Sequence, residues 1–142
     1  MKKLIMYIII ILSCIGCGDI YDIRFKVIND SSDTIHIAIS QDDSIENSRH
    51  IRGGETNKKL IITRDILPYE TDNLDIHGRK FWENFVRQSK DRQMRFFIIA
   101  DDDFNNNSLQ EIGDKQLYKK MKLSINDLKS KNFTIHIDSL MN

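Results

Sequence analysis

Residues Met94 to Ala100 read MRFFIIA, an apolar run interrupted by a single charge at Arg95. Its β-branched and aromatic side chains, bounded by polar clusters, predict a strand. Successive side chains of a strand point to opposite faces of its sheet. Apolar groups at consecutive positions therefore need cover on both faces, which places this strand at the centre of a sheet with material packed on each side.

Elsewhere the apolar pattern has period two. Ile23, Phe25 and Val27 alternate with Arg24 and Lys26, and after the polar cluster Asn29 to Asp33 the alternation resumes. Ile35, Ile37 and Ile39 then fall on one face, with Thr34, His36 and Ser40 on the other. Two alternating segments around a short turn predict an antiparallel hairpin. A turn at Arg52-Gly53-Gly54-Glu55-Thr56 leads to a third strand at Leu60-Ile61-Ile62, ended before Pro68, and residues 69–75 read as a polar loop. Phe81, Trp82, Phe85 and Val86 gather on one side of an amphipathic helix stopped by Ser89-Lys90-Asp91, and that stripe reads as core more readily than as a binding patch. Asp101 to Ser108 is expected to be a loop. A short helix is expected from Asp114 to Met121, burying Leu117 and Met121 and leaving Lys115, Lys119, Lys120 and Lys122 solvated. Ser124 with Asp127 three residues on marks a helix start, with Leu123 and Leu128 as its hydrophobic staple. Phe133, Ile135 and Ile137, alternating with Thr134, His136 and Asp138, give a final strand. This order predicts an α+β fold: a mainly antiparallel β-sheet, or an immunoglobulin-like β-sandwich, with one longer helix and one or two short helices.

The first residues carry a different message. Lys2 and Lys3 precede an unbroken apolar run from Leu4 to Leu12, followed by Ser13-Cys14-Ile15-Gly16-Cys17. The run is well short of the ~20 residues that a membrane-crossing helix needs, and it has the layout of a cleavable export signal. The segment resembles a bacterial lipoprotein signal, in which a small residue precedes a cysteine that is acylated and becomes the mature N-terminus. Gly16-Cys17 has the better preceding residue, and Gly18-Asp19 then opens a polar tether. The alternative, Cys14, has the better upstream Leu12 but a shorter apolar core. The expected organisation is a signal peptide over residues 1–16, a tether over 17–22 and one globular domain over 23–140. Cleavage before Cys17 removes Cys14 and consumes the other thiol, so the domain is held by its core and not by a disulfide. It also takes Lys2 and Lys3 from the 21 basic residues, leaving 19 against 21 acidic ones. That balance gives no global field for nucleic acid, and no nucleic-acid partner is expected.

Three motifs along the rest of the chain point the same way. Val27-Ile28-Asn29-Asp30-Ser31-Ser32-Asp33-Thr34-Ile35 is an early strand with an Asn-containing turn. Phe96-Phe97-Ile98-Ile99-Ala100-Asp101 is an apolar strand running into acidic residues. Leu123-Ser124-Ile125-Asn126-Asp127-Leu128 is a capping motif that leads into Asn132-Phe133-Thr134. With these the chain resembles a family of small Gram-negative lipoproteins, whose members often have Trp at the position of Phe133 and end in Tyr-Pro where this chain has Ile137-Asp138. The resemblance implies export and lipid anchoring and brings no activity with it.

Candidate chemistry is sparse. Asp101, Asp103 and Asn105 have the 1, 3, 5 spacing of a calcium loop, but Asn106 replaces its glycine and Ile112 its bidentate glutamate. An acidic loop capping a strand is the plainer reading. His36 and His136 occupy matching Thr-Ile-His-Ile contexts and are candidates for a shared metal if their strands are neighbours, although two histidines make a weak site and solvent-facing places on the polar faces of their strands already account for both. His50 and His77 complete the histidine set. No Gly-x-Ser-x-Gly elbow or phosphate-binding glycine loop occurs. Asp43-Ser44-Ile45 matches an O-glycosylation acceptor pattern used in some Gram-negative phyla, with Ser44 as the acceptor; Asp33-Thr34-Ile35 and Asp138-Ser139-Leu140 match less favourably. No catalytic residue and no cofactor are expected. The leading expectation is a non-enzymatic module anchored by acyl chains to the cell membrane or outer membrane, facing the periplasm or the exterior, with an envelope protein, a polysaccharide or an incoming toxin as partner. The alternatives are a small periplasmic hydrolase or metal-dependent enzyme using Asp101, Asp103 and the histidines, and a structural envelope component.

Overall fold

The computed structural model describes residues 21–45, 62–74 and 76–138. In chain order the elements are β1 (Tyr21–Asp22), β2 (Lys26–Asn29), β3 (Ile35–Ser40), β4 (Ile62–Ile66), β5 (Thr71–Asn73), β6 (Ile76–His77), α1 (Phe81–Gln88), β7 (Gln93–Ala100), α2 (Asp101–Asn106), α3 (Leu109–Asp114), β8 (Lys119–Ser124), α4 (Ile125–Ser130) and β9 (Thr134–Ile137). The class is α+β, with mostly antiparallel strands packed in a sandwich-like way. The expected signal segment, both cysteines, His50, the turn at 52–56 and Leu60-Ile61 lie outside the described residues, as do Ser139 and Leu140.

The MRFFIIA run forms β7, an inner strand of a four-stranded antiparallel sheet ordered β4-β3-β7-β8. Its demand for two covered faces is met on both. On one face Met94, Phe96 and Ile98 lie with Ile35, Ile37 and Ile39 against a second sheet, β5-β2-β9, which contributes Val27, Ile135 and Ile137. Trp82, Phe85 and Val86 of α1 and Leu128 of α4 close the same core. Phe25 packs edge-on against Trp82 at 4.7 Å and Phe96 at 5.9 Å between ring centres. On the other face Ala38, Phe97 and Ile99 are covered by Ile112 of α3, Ile45, Phe104, Leu109, Leu117 and Tyr118. Each fully buried large side chain stabilises such a core by roughly 1.5–3 kcal/mol.

The expected hairpin between β2 and β3 is not formed. β2 pairs antiparallel with β5 and parallel with β9, whereas β3 belongs to the other sheet. Residues 30–34 carry the chain across the sandwich as an arch. Alternation is the same in a hairpin arm and an arch arm, so periodicity alone does not separate them. Asn29 decides it. This fully buried side chain sits between the sheets, its amide nitrogen donating to the carbonyls of Asp33 (2.7 Å), Ile66 (3.0 Å) and Leu67 (3.1 Å). Its oxygen accepts from the Ser31 hydroxyl (2.6 Å) and backbone N–H (3.1 Å).

Three further expectations need correction. Asp101 to Ser108 is mostly helix α2: three aspartates in its first turn suit the positive end of the helix dipole. The side chains of Asn106 and Asn107 bond back to the carbonyls of Asp102 and Asp103. The helix expected over 114–121 lies earlier, as α3, begun by a Ser108–Glu111 capping box. Residues 119–124 instead form β8, an edge strand whose lysines keep that edge from pairing further. The loop over 69–75 contains β5. Among the described residues three short helices, α2, α3 and α4, accompany α1. By contrast α1, the Ser124–Asp127 capping box of α4, and β9 are where the sequence puts them.

Candidate functional site

At the end of the sandwich where the arch crosses, the chain also leaves β4 and β7. Ile35 pairs with both Ile66 and Ala100, so the arch, the β4–β5 connection and the start of α2 converge there. Between them opens a cleft of about 580 Å³ lined by Ser32, Asp33, Thr34, Pro68, Ala100, Asp101, Asp102 and Asp103. Leu67 and Tyr69 stand exposed beside Pro68, Tyr69 at 74%. Tyr69 has φ 61, a left-handed conformation that L-residues adopt at a cost. Four carboxylates and two hydroxyls, from the arch and the start of α2, give the cleft hydrogen-bond acceptors and negative potential, and exposed Tyr69 follows the lining residue Pro68.

His36 lies behind this acidic wall. The alternation of β3 puts it opposite Ile35 and Ile37, on the face that α2 covers, so it is 7% exposed and not solvent-facing as expected. Its ring stacks on Phe104 at 4.0 Å, and Nε2 is hydrogen-bonded to Asp101 Oδ1 at 2.7 Å. The pair ties α2 to β3. His136 is on β9, in the other sheet, exposed and bonded through Nδ1 to Asp30 at 2.8 Å. The two histidines therefore have separate carboxylate partners and do not form a site across neighbouring strands. Asp101, Asp103 and Asn105 are helical, and residues two apart on a helix diverge by about 200°, so the calcium-loop spacing does not make a cage. Among the described residues no group of three or more His, Cys, Asp or Glu side chains is placed to hold a metal ion.

Ser44 sits half-buried after β3, its N–H donating to Asp42. Its neighbours in the acceptor pattern are committed elsewhere: Ile45 is core, and Asp43 receives Arg95, Lys120 and Lys122. Hydrogen bonds from Arg95 and then Lys120 hold the Asp43 carboxyl far below the usual range. Arg95 itself is 5% exposed on the helix-covered face of β7, and its guanidinium also grips Asp91. It is the single break in the MRFFIIA run, and that interruption was the available signal for a buried guanidinium with carboxylate partners nearer the surface.

A second ionic cluster lies at the β1 end. Arg24 bridges the inward-turned carboxylates of Asp22 and Glu83 and stacks over Phe133 at 4.4 Å. Burial pushes the Asp22 carboxyl up, but Arg24 and the Trp82 N–H outweigh it and hold it below its ordinary value; Arg24 does the same for Glu83. Asp22 thereby serves the N-terminus of α1, which has no side-chain cap of its own. Nothing in the spacing of residues 22, 24 and 83 announces this contact.

No protein-family model, curated protein or solved structure matches this chain.

Proposed function

We propose that this chain is a membrane-anchored lipoprotein whose domain works as a non-enzymatic interaction module of the cell envelope. The observation that carries this reading is the start of the sequence: Lys2-Lys3, the apolar run Leu4 to Leu12, and a cysteine after a small residue at Gly16-Cys17. Acylation of Cys17, or of Cys14 in the other register, supplies the paired chains that make attachment lasting. Among the described residues no helix is long and apolar enough to cross a membrane. The acidic cleft supports the module half of the reading, since it joins concavity, acceptors and an exposed aromatic at the end away from the tether. A polysaccharide or the basic surface of an envelope protein offers the matching donors. The hydrolase alternative asks Asp101, Asp103 and the histidines to converge; His36 is bonded to Asp101, whereas His136 lies on the other sheet, bonded to Asp30.

Mass spectrometry of the N-terminal peptide from native membranes tests the anchor. A diacylglyceryl group on Cys17 is expected. An unmodified chain starting at Met1 overturns the proposal.

A further inference from the structure

We infer that the β1–β6 end of the domain seats on lipid headgroups, holding the acidic cleft outward. This rests on the lipoprotein reading above and adds an orientation to it. Cys17 precedes Tyr21 by four residues, a chain length that reaches at most ~14 Å. The described domain, with a radius of gyration of roughly 13 Å, is more than twice that across. An anchor so short keeps one end of the domain within contact distance of the bilayer.

The chemistry at that end fits contact. Tyr21 and Ile23 are 51% and 59% exposed, while Asp22 between them turns inward to Arg24. Tyrosine and isoleucine suit the boundary between headgroups and acyl chains, where an aromatic with a polar tip is favoured. β1 pairs antiparallel with β6, Tyr21 opposite His77, so the residues that follow His77 stand where the tether joins. They are Gly78, Arg79 and Lys80, and both cations are exposed. Screening confines attraction to about a Debye length, so Arg79 and Lys80 act on lipid phosphates although the whole domain is slightly acidic. Among the described residues the Asp22–Arg24–Glu83 cluster also lies at this end, its carboxylates buried on Arg24.

Tyr69 provides the opposite reference point. It adjoins Leu67 and Glu70, whose carbonyls bond Asn29 at the far end of β2, up to roughly 20 Å along the chain from Ile23. The test uses full-length acylated protein in phosphatidylethanolamine–phosphatidylglycerol vesicles, carrying a fluorophore on Ile23→Cys or on Tyr69→Cys. Quenching by a nitroxide-headgroup lipid is expected to be at least about threefold stronger at position 23, because the separation exceeds contact range. Adding Arg79→Glu and Lys80→Glu should bring the quenching at 23 down towards that at 69. Equal quenching at both positions, stronger quenching at 69, or indifference to the charge reversals overturns the orientation. Flotation and the mass of the N-terminal peptide are read on the same samples. A floating, acylated protein with neither label quenched sinks the orientation and leaves the anchor standing; a chain without lipid sinks both.

Discussion

Asn29 makes the arch testable with two substitutions, one that removes the amide group and one that exchanges its nitrogen for oxygen. Of its five side-chain hydrogen bonds, those with Ile66 O, Ser31 N and Ser31 Oγ are buried and those with Asp33 O and Leu67 O are part-buried. Asn29→Ala takes this partner from the buried Ile66 carbonyl and Ser31 N–H, each costing about 1–3 kcal/mol when water cannot replace the lost bond, while Ser31 Oγ keeps its bonds to Asp33. Partial relaxation of the arch brings the expected loss to about 3–5 kcal/mol. At about 4 °C per kcal/mol for a domain of this size, the melting temperature falls by roughly 12–20 °C. Asn29→Asp keeps the volume and the Ser31 bonds but turns a carboxylate towards three carbonyl oxygens. At pH 7 it should be at least as damaging as alanine, despite preserving two of the five bonds. The new carboxyl has a folded-state pKa raised above its unfolded value near 4, so its deficit is smallest below about pH 4 and grows as pH rises through the folded value. Urea unfolding followed by the fluorescence of buried Trp82 measures both variants across pH. Parent-like stability of Asn29→Asp at neutral pH, or a loss below about 1 kcal/mol for Asn29→Ala, would refute the reasoning.

Other outcomes follow from the same contacts. Asp22 and Glu83 have depressed folded pKa values, so the stability they contribute is complete above about pH 4.5 and is lost as pH falls through those values. Arg24→Met should cost about 3 kcal/mol at pH 7, trimmed by the 40% exposure of Arg24, and should abolish or reverse that acid slope in equilibrium unfolding. Ser124→Ala removes half of a capping box and should cost about 1 kcal/mol in a denaturant titration, with Ser124→Gly costing less. Tyr69→Gly loses almost no packing and relieves the left-handed backbone, so a small gain of about 0.5 kcal/mol is expected, together with any loss of ligand that the ring holds. Cys17→Ser should move the protein from the membrane pellet to the soluble or precursor pool, as read by fractionation.

What the sequence made legible was whatever burial imposes on one segment at a time. MRFFIIA announced a doubly covered inner strand, the Phe81–Val86 stripe a helix against the core, and Leu123 to Leu128 a capped turn. Pairing was less visible, because β2 alternates identically whether its neighbour is β3 or β9. Helix α2 was hidden because Asp and Asn are poor interior helix residues; it is formed by dipole, Asn back-bonding and the Phe104 stack, which depend on position and contact. For the same reason His36 read as solvent-facing: Thr34 and Ser40 on its face are polar, and the helices covering them come from residues more than sixty positions later. The cleft joins residues 32–34, 68 and 100–103, and its carboxylates could be named but not brought together before the arch was known.

The parallel pairing of β2 with β9 has a consequence for when this chain can fold. Val27 meets Ile135 more than a hundred residues later, and β5-β2-β9 is incomplete until that strand arrives. Contacts of such long separation close slowly, after most of the chain is available. A nascent chain lacking residues 134–137 holds β2 with a bare edge and the first core with one wall missing. Under the export proposed above, a domain that cannot seal itself before β9 arrives leaves the polypeptide threadable until that strand has crossed.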